Sequence, residues 1–552
     1  MRILFTLLFS LLIFSSALLA QDKGRLSGSL EANANFFIRD SAIGAAGIPQ
    51  YESQLYGSEA WMQLNYAYKG FDVGVRFDLY NNSNIIDPNA SRTGQGIGRW
   101  YIKKKLDKLG ISAGYLYDQI GSGIIFRAFE QRPLAIDNSL YGVRLTYELT
   151  PDWQLKAFTG KQRNLFAFVD TEFTGTPIFK TLIKGFSVDG FLAVGKEGSI
   201  SLAPGFGVVN KTLAESTMEE VVGVVQGYRK EDQIKPQFNT YAFSLYNSLT
   251  AGNSTWYVEG AYKTTEVVDD PAFERLSISN LNVLGKFTND EGTIVYSSVT
   301  YATKKIGVTL DAKRTDNFKF RTNPFVTLNR GAINFLPPMT RDNTYRLTSR
   351  YAAATQELGE QAFQLDIRFA PSKKLKFNVN FSNITDLENE QLYREIFTEA
   401  YYKYKRKWSL KGGVQYQQYN QSVYEVKDVP LLTSIVPYAD FLYKFNRKKS
   451  IRLEAQYMHT EQDYGSWIFA LAEFNINSHW AVVVSDMYNS SPTKASDFQR
   501  IHYPRFDVFY NFKSNRFGLS YVKQVEGVVC TGGICRLEPA FSGVRFNVTS
   551  SF

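Results

Sequence analysis

The sequence predicts an all-β protein, a single transmembrane antiparallel β-barrel of about 24 strands, within a range of about 22 to 26. Three observations predict it. Segments with strict alternation of apolar and polar residues recur along the whole chain, which is the mark of a wall with two unlike faces. No apolar run after residue 20 approaches the ~20 residues that a spanning helix needs. The chain also ends on such a strand: Val544, Phe546, Val548, Ser550 and Phe552 alternate with Arg545, Asn547, Thr549 and Ser551. A membrane protein without spanning helices must close its sheet, because lipid satisfies no open backbone groups.

The elements follow in order. Arg2 precedes an apolar stretch, Ile3 to Ala20, broken only by Thr6, Ser10, Ser15 and Ser16. This is the pattern of a cleaved secretory signal peptide, so 1–20 is expected to be removed and 21–552 to form the barrel. No Cys follows the expected cut, which argues against a lipid anchor. The first strand is expected at 25–38. Hairpins follow at 57–68 and 71–80, 98–106 and 109–118, 138–149 and 153–160, 184–195 and 198–209, 237–248 and 254–264. They continue at 291–302 and 305–314, 361–370 and 374–383, 397–404 and 408–419, 433–445 and 449–460, 465–476 and 479–488, 501–512 and 515–527. The last strand is expected at 537–552. In the clearest one, Phe71, Val73, Val75, Phe77 and Leu79 alternate with Asp72, Gly74, Arg76 and Asp78. The stretch 344–352 reads equally as strand or loop.

Short and long connections alternate. The short ones, such as Lys69-Gly70, Thr150 to Asp152, Lys196 to Gly198 and Lys513 to Arg516, fall on one side, predicted to be periplasmic. Several carry two or more Lys or Arg, as a rim near anionic lipid phosphates would. They hold much of the net charge of +9, so nucleic acid is not expected as a partner. Aromatic residues make up 15% of the chain, as expected of girdles at two membrane interfaces. The long connections at 39–56, 81–97, 119–137, 161–183, 210–236, 265–290, 315–360 and 384–396 then face outward, with a short helix expected at 212–226.

Two of these connections are predicted to fold into the lumen and narrow it, since a barrel this wide is commonly plugged. In the first, Asp118, Arg127, Glu130, Arg132 and Asp137 carry both signs of charge close together, and Gly121 and Gly123 permit a tight backbone. Such charges either line a water-filled path or pair with one another to hold the loop. In the second, Arg341, Arg346 and Arg350 follow Pro337-Pro338. The two cysteines, Cys530 and Cys535, lie in the last outer loop, where an exported protein is expected to form a disulfide. The three histidines, His459, His479 and His502, lie apart from them and from one another. No nucleophile elbow, P-loop or zinc-protease motif occurs. Enzyme activity, catalytic residues, metals and cofactors are therefore not expected.

The stretches Tyr117-Asp-Gln-Ile-Gly-Ser-Gly-Ile-Ile-Phe-Arg127 and Ala128-Phe-Glu-Gln-Arg-Pro-Leu-Ala-Ile-Asp-Asn138 resemble the DUF6029 family of Bacteroidota outer-membrane proteins. So do Asp311-Ala-Lys-Arg-Thr-Asp-Asn-Phe-Lys-Phe320, Ile333-Asn-Phe-Leu-Pro-Pro-Met-Thr-Arg-Asp-Asn-Thr-Tyr345 and Ala353-Ala-Thr-Gln-Glu-Leu-Gly-Glu360. The resemblance implies a Bacteroidota outer membrane and no particular activity. From the polar face repeated along the strands, the expected function is a porin-like channel for small polar solutes. The alternative is a non-conducting scaffold or subunit of an outer-membrane secretion or assembly complex. The expected partners are outer-membrane lipid, a small polar solute and other outer-membrane proteins. Energised uptake is less expected, because such receptors carry a soluble plug ahead of the first strand and here the strand pattern begins by residue 25.

Overall fold

The computed structural model describes residues 24–164, 178–195, 199–276, 281–326, 330–493, 500–531 and 534–552. The predicted signal peptide and the turn at 196–198 lie outside them. Among the described residues, 24 antiparallel strands pair with their sequence neighbours, and the wall closes where the first strand, Arg25–Phe37, meets the last, Phe541–Ser551. At that seam Gly28 N–H donates to the Phe552 carbonyl (2.8 Å) and Phe552 N–H donates back (3.0 Å). A Cβ at Gly28 would stand 2.5 Å from the Phe552 ring, so the glycine is what lets the terminal aromatic lie over the closure.

Each predicted strand is present, and the alternation sets its two faces as expected. In Phe71–Ser83, Phe71 and Phe77 are exposed on the outside, whereas Arg76, Asp78 and Tyr80 are buried on the inside. Leu245, Val295, Val484 and Leu519 likewise stand exposed on the outer surface. An apolar belt of this extent requires lipid around it. The strands turn tightly at one end. Lys69 and Gly70 both take positive φ (45° and 75°), the two-residue turn that matches strand twist.

At the other end the structure departs from the expected boundaries. Ser254–Leu276 and Asn282–Ala302 stay paired as far as Leu276↔Asn282, so most of the predicted loop 265–290 is a two-stranded arm. The register shifts between Lys263 and Glu266 and between Asp270 and Glu274. Beyond the lipid neither face needs an apolar alternation, so the pattern fades while backbone pairing continues. The helix Glu215–Gln226, within the predicted 212–226, packs Val221 and Val225 against Val267 and Phe287 of this arm. The ambiguous stretch 344–352 is a series of turns inside the longest loop. Gly527–Thr531 and Ile534–Glu538 form a hairpin that places Cys530 directly opposite Cys535, and the side chains of both lie outside the described residues.

Candidate functional site

Two connections turn inward from the outer rim and meet in the lumen. The first, 117–139, is braced by short ladders, Asp118–Ile120 with Phe126–Ala128 and Glu130–Gln131 with Ile136–Asp137. Its apolar residues Ile120, Ile124, Ile125 and Phe126 are buried against Phe158, Ile183, Val209 and Ala242 of the wall. Gly121 and Gly123 take φ of 55° and 105°, and a Cβ on Gly121 would meet the Glu259 carboxylate at 2.7 Å. That close approach lets Ser122 donate to Glu259 from both its N–H (2.9 Å) and its Oγ (2.6 Å). Ser244 and Tyr257 hydroxyls donate to the same carboxylate, each at 2.6 Å. Four donors satisfy one buried anion that otherwise would be costly.

The charged residues of this segment pair chiefly with the wall. Asp118 receives Arg144 and Lys156, both at 2.9 Å. Asp137 receives Arg163 at 2.7 Å and lies 3.6 Å from Arg76. Arg76 also grips Asp78 and Glu130, and Glu130 lies 3.6 Å from Arg99. Arg132 reaches Glu31 at 2.6 Å and Glu130 at 3.2 Å, the latter a pair within the segment. Arg127 instead lies over the rings of Phe129 (4.9 Å) and Phe335 (4.1 Å). Burial pushes the Asp137 carboxyl up, but Arg163 and Arg76 outweigh it and hold the group below the usual carboxylate range.

The second connection, 317–358, crosses the remaining width. Arg127 N–H donates to the Ile333 carbonyl (2.9 Å) and Phe335 N–H to that of Gly123 (3.0 Å), which joins the two loops into one plug. Wall lysines hold its backbone: Lys211 donates to the Arg321 carbonyl, Lys263 to that of Lys319, and Lys313 to that of Pro337. Lys211 and Lys263 share Glu266, and Lys313 pairs with Glu360 at 2.6 Å. Farther on, Gln415 and Gln417 donate to the carbonyls of Thr348 and Tyr351. Arg341 lies 3.5 Å over Phe397. Arg350 faces Asp463 at 3.9 Å and the Trp467 ring at 4.7 Å. Burial raises the Asp463 carboxyl, yet Arg350 and Lys427 leave it below the usual range. Arg346, between them, is half-buried in a turn of the same loop.

At the short-turn end the lumen is open and polar. A cavity of about 580 Å³ there is bordered by Lys304, Lys305, Arg368, Lys376, Glu399 and Lys411. The Arg368 side chain, one residue from the end of its strand, is 74% exposed although it faces inward, so the mouth at this end is open to water. Among the described residues no three metal-ligating side chains converge. The histidines stand apart: His459 lies 3.4 Å from Ser466 Oγ, His502 2.6 Å from Asp486, and His479 2.8 Å from the Asn511 carbonyl.

Sequence reasoning missed the wall residues that seat the plug, above all Arg76, Arg163, Lys211, Glu259 and Lys313. One signal was present. Opposite charges two residues apart share a strand face, and Arg76/Asp78, Asp366/Arg368, Arg452/Glu454 and Arg505/Asp507 all pair in this way.

A family model described as a family of unknown function, DUF6029, matches residues 1–552. No curated protein matches the chain. Among solved structures, the P pilus usher (PapC) translocation pore is 9% identical, with 96% of this chain and 99% of that chain covered and a TM-score of 0.41. The siderophore receptor PirA from Pseudomonas aeruginosa is 9% identical, with 97% and 81% covered and a TM-score of 0.40. OccAB4 of Acinetobacter baumannii is 10% identical, with 73% and 97% covered and a TM-score of 0.33. At these scores the likeness is general, and the barrel described above rests on its own strand pairing.

Proposed function

The chain belongs to the DUF6029 family, and for this member we propose a porin-like channel for small polar solutes in the outer membrane of a Bacteroidota bacterium, narrowed by its own loops. One observation carries the reading: inward-facing charge at the short-turn end, as at Arg368, remains accessible to water in a wall whose outside is apolar. A lumen with no transport role would be free to fill with apolar side chains, as smaller barrels do. Purified protein in planar bilayers is expected to give discrete conductance steps in potassium chloride. A barrel that inserts and stays silent at every voltage would overturn the reading and favour the scaffold alternative.

We propose further that Cys530 and Cys535 form a disulfide in the last outer hairpin. Directly opposed residues of an antiparallel pair lie about 4.5–5.5 Å apart, within the span a disulfide accepts. Denatured protein from oxidising export is expected to take up no maleimide until reduced, and then two equivalents by mass. Labelling without reductant would refute the bond.

A further inference from the structure

The short-turn end carries its charge unevenly. Four turns that follow one another around the rim are joined through backbone: Ala370 N–H donates to the Lys305 carbonyl (2.7 Å), Lys403 N–H to that of Lys374 (2.8 Å) and Lys444 N–H to that of Lys407 (2.7 Å). With the strand ends beside them, these turns span 301–307, 368–378, 401–411 and 441–453, which hold sixteen Lys and Arg and no Asp or Glu. On the far side of the closed wall the turns mix their signs, with Asp107, Glu148 and Asp152 among them and Lys105 paired to Glu148 at 2.8 Å.

The same positive charge runs over the lip into the bore. Phe369, Phe377 and Leu410 are exposed on the lipid side, so their chain neighbours Arg368, Lys376 and Lys411 point inward. Lys376 stands opposite Tyr401, and Tyr401 opposite Lys411, so the two lysines share one level of the wall two strands apart. Together with Lys304, Lys305 and Arg368 they line the cavity of about 580 Å³, a volume in the range that holds a small ligand.

The carboxylates bordering this sector are few and already engaged. Asp366 pairs with Arg368 at 2.8 Å, and Glu399 accepts from the Tyr438 hydroxyl at 3.0 Å. Asp440, which stands opposite Lys411, gathers with Glu454 and Glu473 on Arg452. Five carboxylates therefore face sixteen cations, and Lys304, Lys305, Lys376 and Lys411 enter no ion pair among the described residues. Hydrated lysines are stable without a partner, so the sector needs no bound anion to fold. Its effect is on what enters. A mouth walled by low-dielectric protein and lined with one sign of charge focuses the field and concentrates counter-ions within it. Lipid phosphates meet the turns from outside, whereas Lys376 and Lys411 on the inner face are open only to what comes through the mouth.

We infer that this sector recruits anions, and that the solute of the channel is a small molecule bearing carboxylate or phosphate groups, docked by Arg368, Lys376 and Lys411. This rests on the channel reading and names its solute class.

The test places a reporter thiol in the cavity. Gly307 borders it opposite Arg368, and a Cβ there meets nothing within 4 Å, so Gly307→Cys fits. The detergent-purified full chain also carries Cys530→Ser and Cys535→Ser. Labelling rates are compared for a sulfonate-bearing and a trimethylammonium-bearing methanethiosulfonate. Dividing their ratio by that for 2-mercaptoethanol cancels any change in the thiol itself. The result is expected to favour the anion about tenfold at low salt. It should fall toward one at about 1 M potassium chloride, where screening acts over about 3 Å. Lys376→Glu with Lys411→Glu should abolish the preference. Lys304→Glu with Lys305→Glu, in a turn outside the ladder, should lower it too and serves if the first pair fails to assemble. Inorganic phosphate or citrate should slow sulfonate labelling more than chloride at equal ionic strength, the stronger of the two identifying the group preferred. A ratio of one in the parent, a ratio unchanged by either charge reversal, or labelling that neither anion slows beyond chloride would overturn the inference. In bilayers of zwitterionic lipid under a potassium chloride gradient, the reversal potential should show chloride preferred over potassium. A conducting barrel without that preference would overturn the inference alone, and a silent barrel with an anion-preferring thiol would sink the channel reading alone.

Discussion

Excising residues 318–357 and joining Asn317 to Leu358 through two glycines is expected to leave a closed barrel whose conductance is several-fold higher. The wall provides the junction. Asp316 lies opposite Gly359 in the ladder, and Asn317 N–H donates to the Leu358 carbonyl at 2.6 Å, so the two ends of the excised segment already stand side by side. A two-residue Gly-Gly turn continues the pair without strain. The 24 described strands keep their partners, because none of the segment's described residues belongs to a wall strand. What is lost is the longer half of the plug and the backbone carbonyls that Lys211, Lys263, Lys313, Gln415 and Gln417 hold. Those wall groups would then face water, which satisfies them. Single-channel recording against wild type gives the comparison, and an unshifted heat-modified gel band confirms closure. Unchanged conductance in a closed barrel would mean that 317–358 does not limit the path.

The wall was legible and the plug's seat was not, for one physical reason. Lipid outside and water inside impose a period of two on every spanning residue, so Phe71–Ser83 or Phe541–Ser551 declares its faces from sequence alone. The constraint ends at the rim. There the strands Ser254–Leu276 and Asn282–Ala302 run on as a paired arm with two register shifts, and the pattern that identified their lower parts gives no sign of it. The inward course of the two loops was readable from their length and charge. Their partners were not, since Asp118 meets Lys156 and Ser122 meets Glu259 across spans set by barrel geometry, not by spacing in sequence. The charges of 117–139 were read as pairing with one another or lining a path; apart from Arg132 with Glu130, the carboxylates instead pair with the wall.

That pairing with the wall makes the first half of the plug sensitive to one carboxylate. Asp137→Asn is expected to loosen 117–139 and raise conductance, because it leaves the fully buried Arg163 without its closest carboxylate and removes one of three around the fully buried Arg76. Breaking a buried ion pair from one side costs about 3–5 kcal/mol, enough to populate a released segment. Asp78 remains near both arginines and sets the lower end of that range. Acid should do the same to wild type. Asp137 is held below its ordinary value of 3.8, so the stabilisation it gives is complete above that value and falls away as the pH drops beneath it through the folded one. Conductance should therefore be level between about pH 5 and 8 and rise below the ordinary carboxylate range. In Asp137→Asn it should already be high at neutral pH and gain less on acidification. Proteolysis from the outer face supplies an independent reading, since a released 117–139 exposes the Arg127–Ala128 bond to trypsin while the wall resists. A variant that is closed, trypsin-resistant and as pH-dependent as wild type would show that the apolar packing of Ile120, Ile124 and Phe126 holds the segment without help from its charges.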